Sequence, residues 1–145
     1  MTETANAIAQ IRAFNRFYTD LIGLLDKHLL NSDYSLAEAR ILYEIQVGQP
    51  ISASQIMATM HIDKSYLSRV LKKLEKENLI RKESSAHDAR TTLLSLTPEG
   101  LAVFTTLNHA SDEQINALLG TLPPTQHQAL VEHMQAIHTI LRPTS

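Results

Sequence analysis

The sequence predicts a mainly α-helical fold with a small β-hairpin wing, namely a winged helix-turn-helix flanked by long helices. Three observations support this prediction. Apolar residues recur at helical spacing in six segments of the 145-residue chain. A short helix and a basic helix follow one another between Ser54 and Asn78, as in a helix-turn-helix. Two strand-like segments joined by a polar loop come next, where a wing would lie.

The first predicted helix runs from Thr4 to Leu30, and the polar residues 31–33 interrupt its pattern. Its apolar residues are three or four positions apart, and others widen the stripe, so the helix needs more than one neighbour to bury it. The stripe consists of Ile8, Ile11, Phe14, Tyr18, Leu21, Ile22, Leu25 and Leu29, widened by Phe17, Leu24 and Leu30.

The second and third predicted helices carry clear start signals. Ser35 followed by Glu38 is a capping box, which begins a helix from Leu36 to Gln46. A Gly and a Pro end this helix, and either Ser52 or Ser54 caps a short third helix. The residues expected to face inward are Ala39, Leu42, Tyr43 and Ile45 in the second helix, and Ile56 and Met60 in the third.

The fourth predicted helix begins after Asp63, whose carboxylate can cap the first turn. Asn78 stands where the helix should end, because Asn tolerates the left-handed backbone of a C-terminal cap. The buried stripe is Leu67, Val70, Leu71, Leu74 and Leu79. The residues mostly outside it are Ser65, Tyr66, Ser68, Arg69, Lys72, Lys73 and Lys76.

The wing and two further helices complete the chain. Strands are predicted at Leu79–Glu83 and Thr91–Leu96, joined by the polar loop 84–90. Thr97 followed by Pro98 is a helix start, and the fifth helix extends to about residue 119. A sixth helix is predicted at Thr125–Leu141. One face of it carries Leu130, Met134, Ile137 and Leu141.

Charge is distributed unevenly along this chain. Residues 61–90 hold eight Lys or Arg and five Asp or Glu, so this segment carries +3 while the whole chain carries −2. A basic element in an acidic protein is typical of a protein that contacts nucleic-acid phosphates, although many basic helix faces are only solvated. Cysteine is absent, which excludes disulfides and thiolate metal sites. No signal peptide or membrane-spanning run is evident, so we expect a cytoplasmic protein.

The flanking helices carry more apolar residues than a module of about 55 residues can cover. We therefore expect a homodimer, in which about residues 4–31 and 98–142 form the dimer interface. About residues 35–97 would form the DNA-binding lobe. Two such lobes would place their second helices about 34–36 Å apart, which is one turn of DNA.

Two segments make the chain resemble the MarR (multiple-antibiotic-resistance) family of winged-helix regulators. DKSYLSRVLKKLEKENLI is similar to the family's recognition helix and its exit into the wing. DARTTLLSLTPEG matches the family's wing pattern, Asp-x-Arg followed by Leu-x-Leu-Thr-x-x-Gly. The six-helix layout resembles the family over essentially the whole chain. Asn78 stands where the family often has Gly, and Tyr66 replaces a residue that is commonly small.

The resemblance implies a dimer that binds a pseudo-palindromic promoter site, often as a repressor, and releases DNA when a small aromatic or anionic effector binds. It places the recognition helix in the major groove, Lys72 and Lys73 near the DNA backbone, and Arg90 in the adjacent minor groove. Asp88 would brace the loop by pairing with an Arg. Tyr66 would contact DNA or pack inward, and both alternatives stay open. The expected DNA-binding residues are Ser54, Gln55, Lys64, Ser65, Tyr66, Ser68, Arg69, Lys72, Lys73, His87 and Arg90.

A ligand pocket is expected where the first, second and fifth helices meet, with packing in the dimer core as the alternative. An Arg beside aromatic rings would suit an aromatic acid. The candidate residues are Phe14, Tyr18, Arg40, Tyr43 and Phe104.

Metal and catalytic sites are not predicted, and neither is a cofactor. His109 and Glu113 are one helical turn apart, but zinc usually takes three or four such ligands together. The sequence has no Gly-rich phosphate loop, and Ser84, Ser85, His87 and Asp88 are neighbouring loop residues rather than a triad. We therefore do not expect an enzyme. A winged-helix module that binds protein, or a metal-responsive regulator, remains the alternative to a DNA-binding regulator.

Overall fold

The computed structural model describes residues 2–29 and 33–142, and the side chains of residues 25–29 are not described. The predicted Leu25 and Leu29 side chains, and Leu30, Asn31 and Ser32, lie outside the described parts. The helices are α1 (Glu3–Leu29), α2 (Leu36–Gly48), α3 (Ala53–Met60), α4 (Lys64–Lys76), α5 (Pro98–Gly120) and α6 (Pro124–Leu141). The strands are β1 (Ile51–Ser52), β2 (Ile80–Ser84) and β3 (Thr92–Leu96).

The predicted fold class is confirmed, because all six helices and both wing strands are present within about two residues of their expected bounds. The structure adds a strand that was not predicted. β1 pairs antiparallel with β3, so the hairpin becomes a three-stranded sheet in the order β1-β3-β2. Ile51 is opposite Leu94, and Ile80 is opposite Leu96. β3 is therefore the central strand of the sheet.

Side-chain caps set the helix starts. The Ser35 and Glu38 capping box is present, and a second one joins Ser52 to Gln55, so Ser52 rather than Ser54 caps α3. Each cap supplies an acceptor to an N–H that the helix leaves unpaired. The turn after α3 is closed by His61, whose φ of 54° is left-handed. These bonds join residues three positions apart, which is why the sequence predicted the helix starts well.

The core lies between α2, α3, α4 and the sheet. It is a cluster of buried apolar residues, and the α4 stripe is buried as predicted. One expectation was wrong, because Tyr43 is 46% exposed whereas Ile41 is fully buried. Ile41, Leu42 and Ile45 form the inner face of α2, and Tyr43 is roughly 200° around the helix from Ile41. The buried apolar residues are Ile41, Leu42, Ile45, Ile56, Leu67, Val70, Leu71, Leu74, Leu79, Ile80, Leu94, Leu96 and Leu107.

The chain divides into two compact units, Met1–Ala110 and Ser111–Ser145. In the first unit, α1 exposes a set of large apolar side chains, namely Ile8, Ile11, Phe14, Phe17 and Leu24. In the second unit, α6 exposes a set of its own, namely Val131, Met134, Ile137, Ile140 and Leu141. Within this second unit, His127 Nε2 lies 2.6 Å from the Leu119 carbonyl oxygen and 3.0 Å from that of Leu122.

Candidate nucleic-acid interface

The helix-turn-helix consists of α3, a short turn and α4. Asp63 begins α4, because its Oδ2 accepts a hydrogen bond from the backbone N–H of Tyr66 at 3.1 Å. The apolar stripe of α4 fixes the helix against the core, so its opposite face points away from the protein. That opposite face exposes Lys64, Ser65, Ser68, Arg69 and Lys72.

On α3, Ser54 and Gln55 are exposed as expected for residues at the edge of this face. They differ in whether the side chain forms a hydrogen bond within the protein. Gln55 Oε1 accepts a hydrogen bond from the Ser52 N–H at 2.9 Å as part of the capping box. Gln55 therefore sets the start of α3, whereas Ser54 has no such structural role.

The sequence left open whether Tyr66 would contact DNA or pack inward, and in the structure it lies between these two positions. Its ring is half-buried and packs against the core, so it stabilises the inner side of α4. The guanidinium carbon of Arg69 lies 5.7 Å from the centre of that ring. A cation at this distance is attracted to the face of an aromatic ring. Tyr66 thereby holds Arg69 at the exposed surface of α4.

Lys73 differs from the other cations of α4, because its ammonium is directed at the start of α2. Nζ lies 2.9 Å from Glu38 Oε2 and donates to the Asp33 carbonyl oxygen at 3.3 Å. It also lies 5.1 Å from the centre of the Tyr34 ring, and the Tyr34 hydroxyl donates to Glu77 Oε2 at 2.8 Å. We call these five residues the α2–α4 clamp. Lys73 therefore connects two helices of the protein, which was not predicted.

The clamp shifts the pKa values of three of its groups. Burial, followed by the hydrogen bond to Glu77, raises the pKa of Tyr34 to about 12. Partial burial opposes ionisation of Glu38, but hydrogen bonds from the Ser35 N–H and from Lys73 outweigh it and hold the pKa of Glu38 below its usual value. The hydrogen bond to Glu38 raises the pKa of Lys73. The pair therefore stays ionised at neutral pH.

The wing loop is ordered by hydrogen bonds around Asp88. Its Oδ1 accepts from the backbone N–H of Arg90 at 2.9 Å, and its Oδ2 accepts from the Thr91 hydroxyl at 3.3 Å. Asp88 thus braces the loop through the backbone and a hydroxyl, and the ion pairs of the described residues do not include one between Asp88 and an Arg. His87 and Arg90 are exposed on this loop.

The cations of this region fall into two groups. Lys73 pairs with Glu38, and Lys82 pairs with Glu75 at 2.7 Å. The second group consists of exposed cations that have no carboxylate within ion-pair distance among the described residues. Its members are Lys64, Arg69, Lys72, Lys76, Arg81 and Arg90. Within this region, unpaired positive charge therefore lies on the exposed face of α4 and on the wing.

The candidate pocket residues form separate contacts. Phe14 stacks on Tyr18 with ring centres 5.6 Å apart, and Tyr43 contacts Phe104 at 6.4 Å with tilted rings. Arg40 pairs with Glu44, one turn along α2, at 2.9 Å. The guanidinium that was expected to meet an anionic ligand is therefore already paired with a carboxylate.

Two further features of the described residues bear on function. Among residues 2–29 and 33–142, no cluster of three or more His, Asp or Glu side chains is arranged to bind a metal ion. None of the helices in the same part of the chain has the length and apolar character needed to cross a bilayer.

Comparisons with known proteins show what this chain is similar to. A model of the MarR family matches residues 32–91, which span the helix-turn-helix and most of the wing. The fold is the winged helix seen in MarR-type structures. No curated protein matches the sequence. Solved structures nevertheless match over most of the chain.

Three of these structures illustrate how similar the fold is. Wild-type MarR from E. coli in its apo form is 19% identical, with a TM-score of 0.77, covering 87% of this chain and 94% of that chain. The transcriptional regulator BldR from Sulfolobus solfataricus is 19% identical, with a TM-score of 0.76 and coverage of 97% and 100%. Staphylococcus aureus MarR in complex with salicylate and kanamycin is 24% identical, with a TM-score of 0.77 and coverage of 94% and 93%. At these identities the structures establish the fold.

Sequence reasoning missed two groups of residues at this interface. The α2–α4 clamp joins Lys73 to residues about 35–40 positions earlier, and nothing in local spacing indicates that contact. The pair between Glu75 and Lys82 crosses the turn after α4. The only signal of these contacts in the sequence is the large number of charged residues around the end of α4. That signal does not show which of these residues form ion pairs with each other.

Proposed function

We propose that this protein is a transcriptional regulator that binds promoter DNA with α4 in the major groove and the wing loop in the adjacent minor groove. The observation that carries this proposal is the group of exposed, uncompensated cations on α4 and the wing of a chain whose net charge is −2. Unpaired Lys and Arg side chains bind DNA phosphates by releasing counterions. The MarR-family match supports the same function.

Within this interface we assign different roles to the exposed side chains. We propose that Ser65, Ser68 and Arg69, with Tyr66 supporting Arg69, approach base edges or phosphates in the major groove. Ser54, Gln55, Lys64 and Lys72 flank them, and we propose that they contact phosphates. His87 and Arg90 belong to the wing, and an Arg there suits a narrow minor groove. We exclude Lys73 from these roles, because its ammonium is held by Glu38.

We further propose that the protein acts as a homodimer. The exposed apolar residues of α1 and the separate set on α6 are more extensive than isolated surface residues, and such faces are usually covered by a partner. In this proposal about residues 4–31 and 98–142 form the dimer interface, and about residues 35–97 form the DNA-binding lobe. Two-fold symmetry would then match a pseudo-palindromic site with half-sites about one DNA turn apart.

We propose that the dimer is a repressor that responds to a small aromatic ligand. The aromatic pairs Phe14–Tyr18 and Tyr43–Phe104 support this, and S. aureus MarR, which has the same fold, is described in complex with salicylate and kanamycin. A ligand can shift the dimer only as far as its affinities for two arrangements differ. The test is operator affinity with and without salicylate while the dimer remains intact. Unchanged affinity across a panel of aromatic acids would contradict the ligand response.

The deciding experiment is a titration of the full-length protein with the duplex upstream of its own gene. A scrambled duplex of equal composition serves as the control, and both are measured at several salt concentrations. We expect tight binding to the upstream duplex only, with log affinity falling steeply as log salt rises. Equal and weak binding to both duplexes, without salt dependence, would contradict the proposed function and favour a protein partner.

A further inference from the structure

A cleft of about 230 Å³ lies between α4 and the wing strands. One side is lined by Ser68 and Lys72, which lie on consecutive turns of α4, and the other by Lys82 of β2 and Thr92 of β3. The cleft is shallow enough that all four of these side chains are exposed. The buried floor includes Leu71 and Leu94.

Three of the lining side chains present unused hydrogen-bond donors. The hydroxyls of Ser68 and Thr92 and the ammonium of Lys72 make no hydrogen bond or ion pair with another residue of the described chain. Ser68 and Lys72 are four positions apart on a helix, so their side chains lie on the same face. No Asp or Glu lines the cleft. The cleft therefore offers donors and positive charge to an anionic group.

The fourth polar side chain is already paired. Lys82 Nζ lies 2.7 Å from Glu75 Oε2, and both side chains are about half exposed. An exposed pair of this kind is a weak interaction, but it places a negative charge beside the ammonium. Lys72 is consequently the one cation lining the cleft that lacks a carboxylate partner among residues 2–29 and 33–142.

The position of the cleft identifies the anion. A helix in the major groove and a loop in the adjacent minor groove are separated by one sugar-phosphate strand, and the cleft lies between α4 and the hairpin that carries the wing loop. We propose that the cleft binds one backbone phosphate of this strand. The Lys72 ammonium and the hydroxyls of Ser68 and Thr92 donate to its oxygens. This inference rests on the proposed function and adds Thr92 to its binding residues.

The same geometry gives Glu75 a role in setting affinity. As long as Glu75 pairs with Lys82, each cleft supplies one effective positive charge to the phosphate. Replacing Glu75 with Gln removes the carboxylate and keeps a similar shape, so the Lys82 ammonium becomes available to the same strand. Glu75 therefore limits sequence-independent affinity, which would otherwise compete with specific binding.

The experiment compares the salt dependence of duplex binding for four proteins: the wild type, Lys72→Gln, Lys76→Gln and Glu75→Gln. Lys76 is the matched control, because it is an exposed cation of α4 that does not line the cleft. We expect Lys72→Gln to reduce the slope of log affinity against log salt by about 0.9 per bound subunit. Lys76→Gln should change the slope by clearly less, and Glu75→Gln should steepen it.

A second measurement identifies the phosphate directly. Single phosphates of the upstream duplex are replaced in turn with neutral methylphosphonate. At one position in each half-site, the neutral substitution should weaken DNA binding by the wild type. The same substitution should have little further effect on Lys72→Gln or Thr92→Val, because these variants have already lost a contact with that phosphate. Equal effects of Lys72→Gln and Lys76→Gln, or no position with this coupling, would overturn the cleft while DNA binding stands. A wild type that binds no duplex in a salt-dependent way would overturn the proposed function itself, and the cleft with it.

Discussion

The Cα atom of Gly100 packs directly against the backbone carbonyl group of Leu79. A Cβ added to Gly100 would overlap the Leu79 carbonyl oxygen and lie 2.9 Å from its carbonyl carbon. The same oxygen accepts a hydrogen bond from the Thr97 N–H at 3.0 Å, and the Thr97 hydroxyl donates to the Asn78 carbonyl oxygen at 2.7 Å. The first turn of α5 is therefore fixed to the exit from α4, and this contact explains the Gly of the wing pattern.

We expect Gly100→Ala to destabilise the protein by about 1–3 kcal/mol or more, because the new methyl group would have to displace backbone atoms rather than a side chain. Chemical denaturation of the full-length protein measures the change. Gly120→Ala is the control, because an added Cβ there meets nothing within 4 Å and its φ is not positive. Equal stability of Gly100→Ala and Gly120→Ala would show that α5 can move away from Leu79 at little cost.

The α2–α4 clamp should contribute more to stability than an ordinary surface pair. Glu38→Gln keeps the acceptor that caps α2 but removes the negative charge that holds Lys73. We expect the free energy of unfolding to fall by about 1 kcal/mol, a figure that allows for the solvent exposure of Lys73. The control is Arg40→Gln, which removes a pair one turn apart within α2, with Glu44, and should cost about 0.3–0.5 kcal/mol. If both changes cost the same, the clamp has no special role.

Tyr34 gives the clamp a dependence on alkaline pH. Its pKa is raised from 10.0 to about 12 in the folded chain, so its contribution to stability is fully present below pH 10 and is lost as pH rises towards 12. Ultraviolet titration of the four tyrosines should show one that ionises late. Tyr34→Phe should abolish this late step and also flatten the loss of stability between pH 10 and 12. A late step that persists in Tyr34→Phe would refute the assignment.

Arg69 and Arg90 should both be needed for tight binding to DNA. We expect Arg69→Ala and Arg90→Ala each to weaken binding to the upstream duplex by about 1–3 kcal/mol, because each removes an exposed cation from a groove-reading element. Circular dichroism and sedimentation should show unchanged folding and assembly. Arg40→Ala serves as a control for lost charge, because Arg40 is exposed on α2 and lies outside α4, the wing and the proposed dimer interface. Unchanged DNA affinity of both Arg variants would favour a module that binds protein.

The helices could be predicted from the sequence because their signals are local. The caps at Ser35, Asp63 and Thr97, the apolar stripe of α4 and the left-handed Asn78, with φ of 62°, all depend on residues within about four positions of one another. Periodicity then shows which face of a long helix is buried. It is less reliable for α2, where Ile41 and Tyr43 are both apolar and only the packing decides which one faces inward.

The remaining features depend on residues that are distant in the chain. β1 is two residues long and has no alternating pattern, so only its pairing with β3 defines it as a strand. The ammonium of Lys73 could equally have faced solvent, and its commitment to Glu38 appears only when α2 and α4 are adjacent. The cleft at Thr92 likewise exists only because the hairpin folds against α4. The sequence therefore predicted which basic residues belong to the site. It did not predict which of them are paired with carboxylates and which are unpaired.

The side-chain caps also have a consequence for the order of folding. Each cap closes a loop of three residues and costs little chain entropy, so helix starts can be set early. The bonds from Thr97 to Asn78 and from Leu96 to Gln49 span 19 and 47 residues and can form only after the chain has closed over those distances. We therefore expect Ser35→Ala to slow folding, whereas Gln49→Ala should mainly speed unfolding. Stopped-flow kinetics would separate the two, and the wing would be the last part of the lobe to assemble and the first to open.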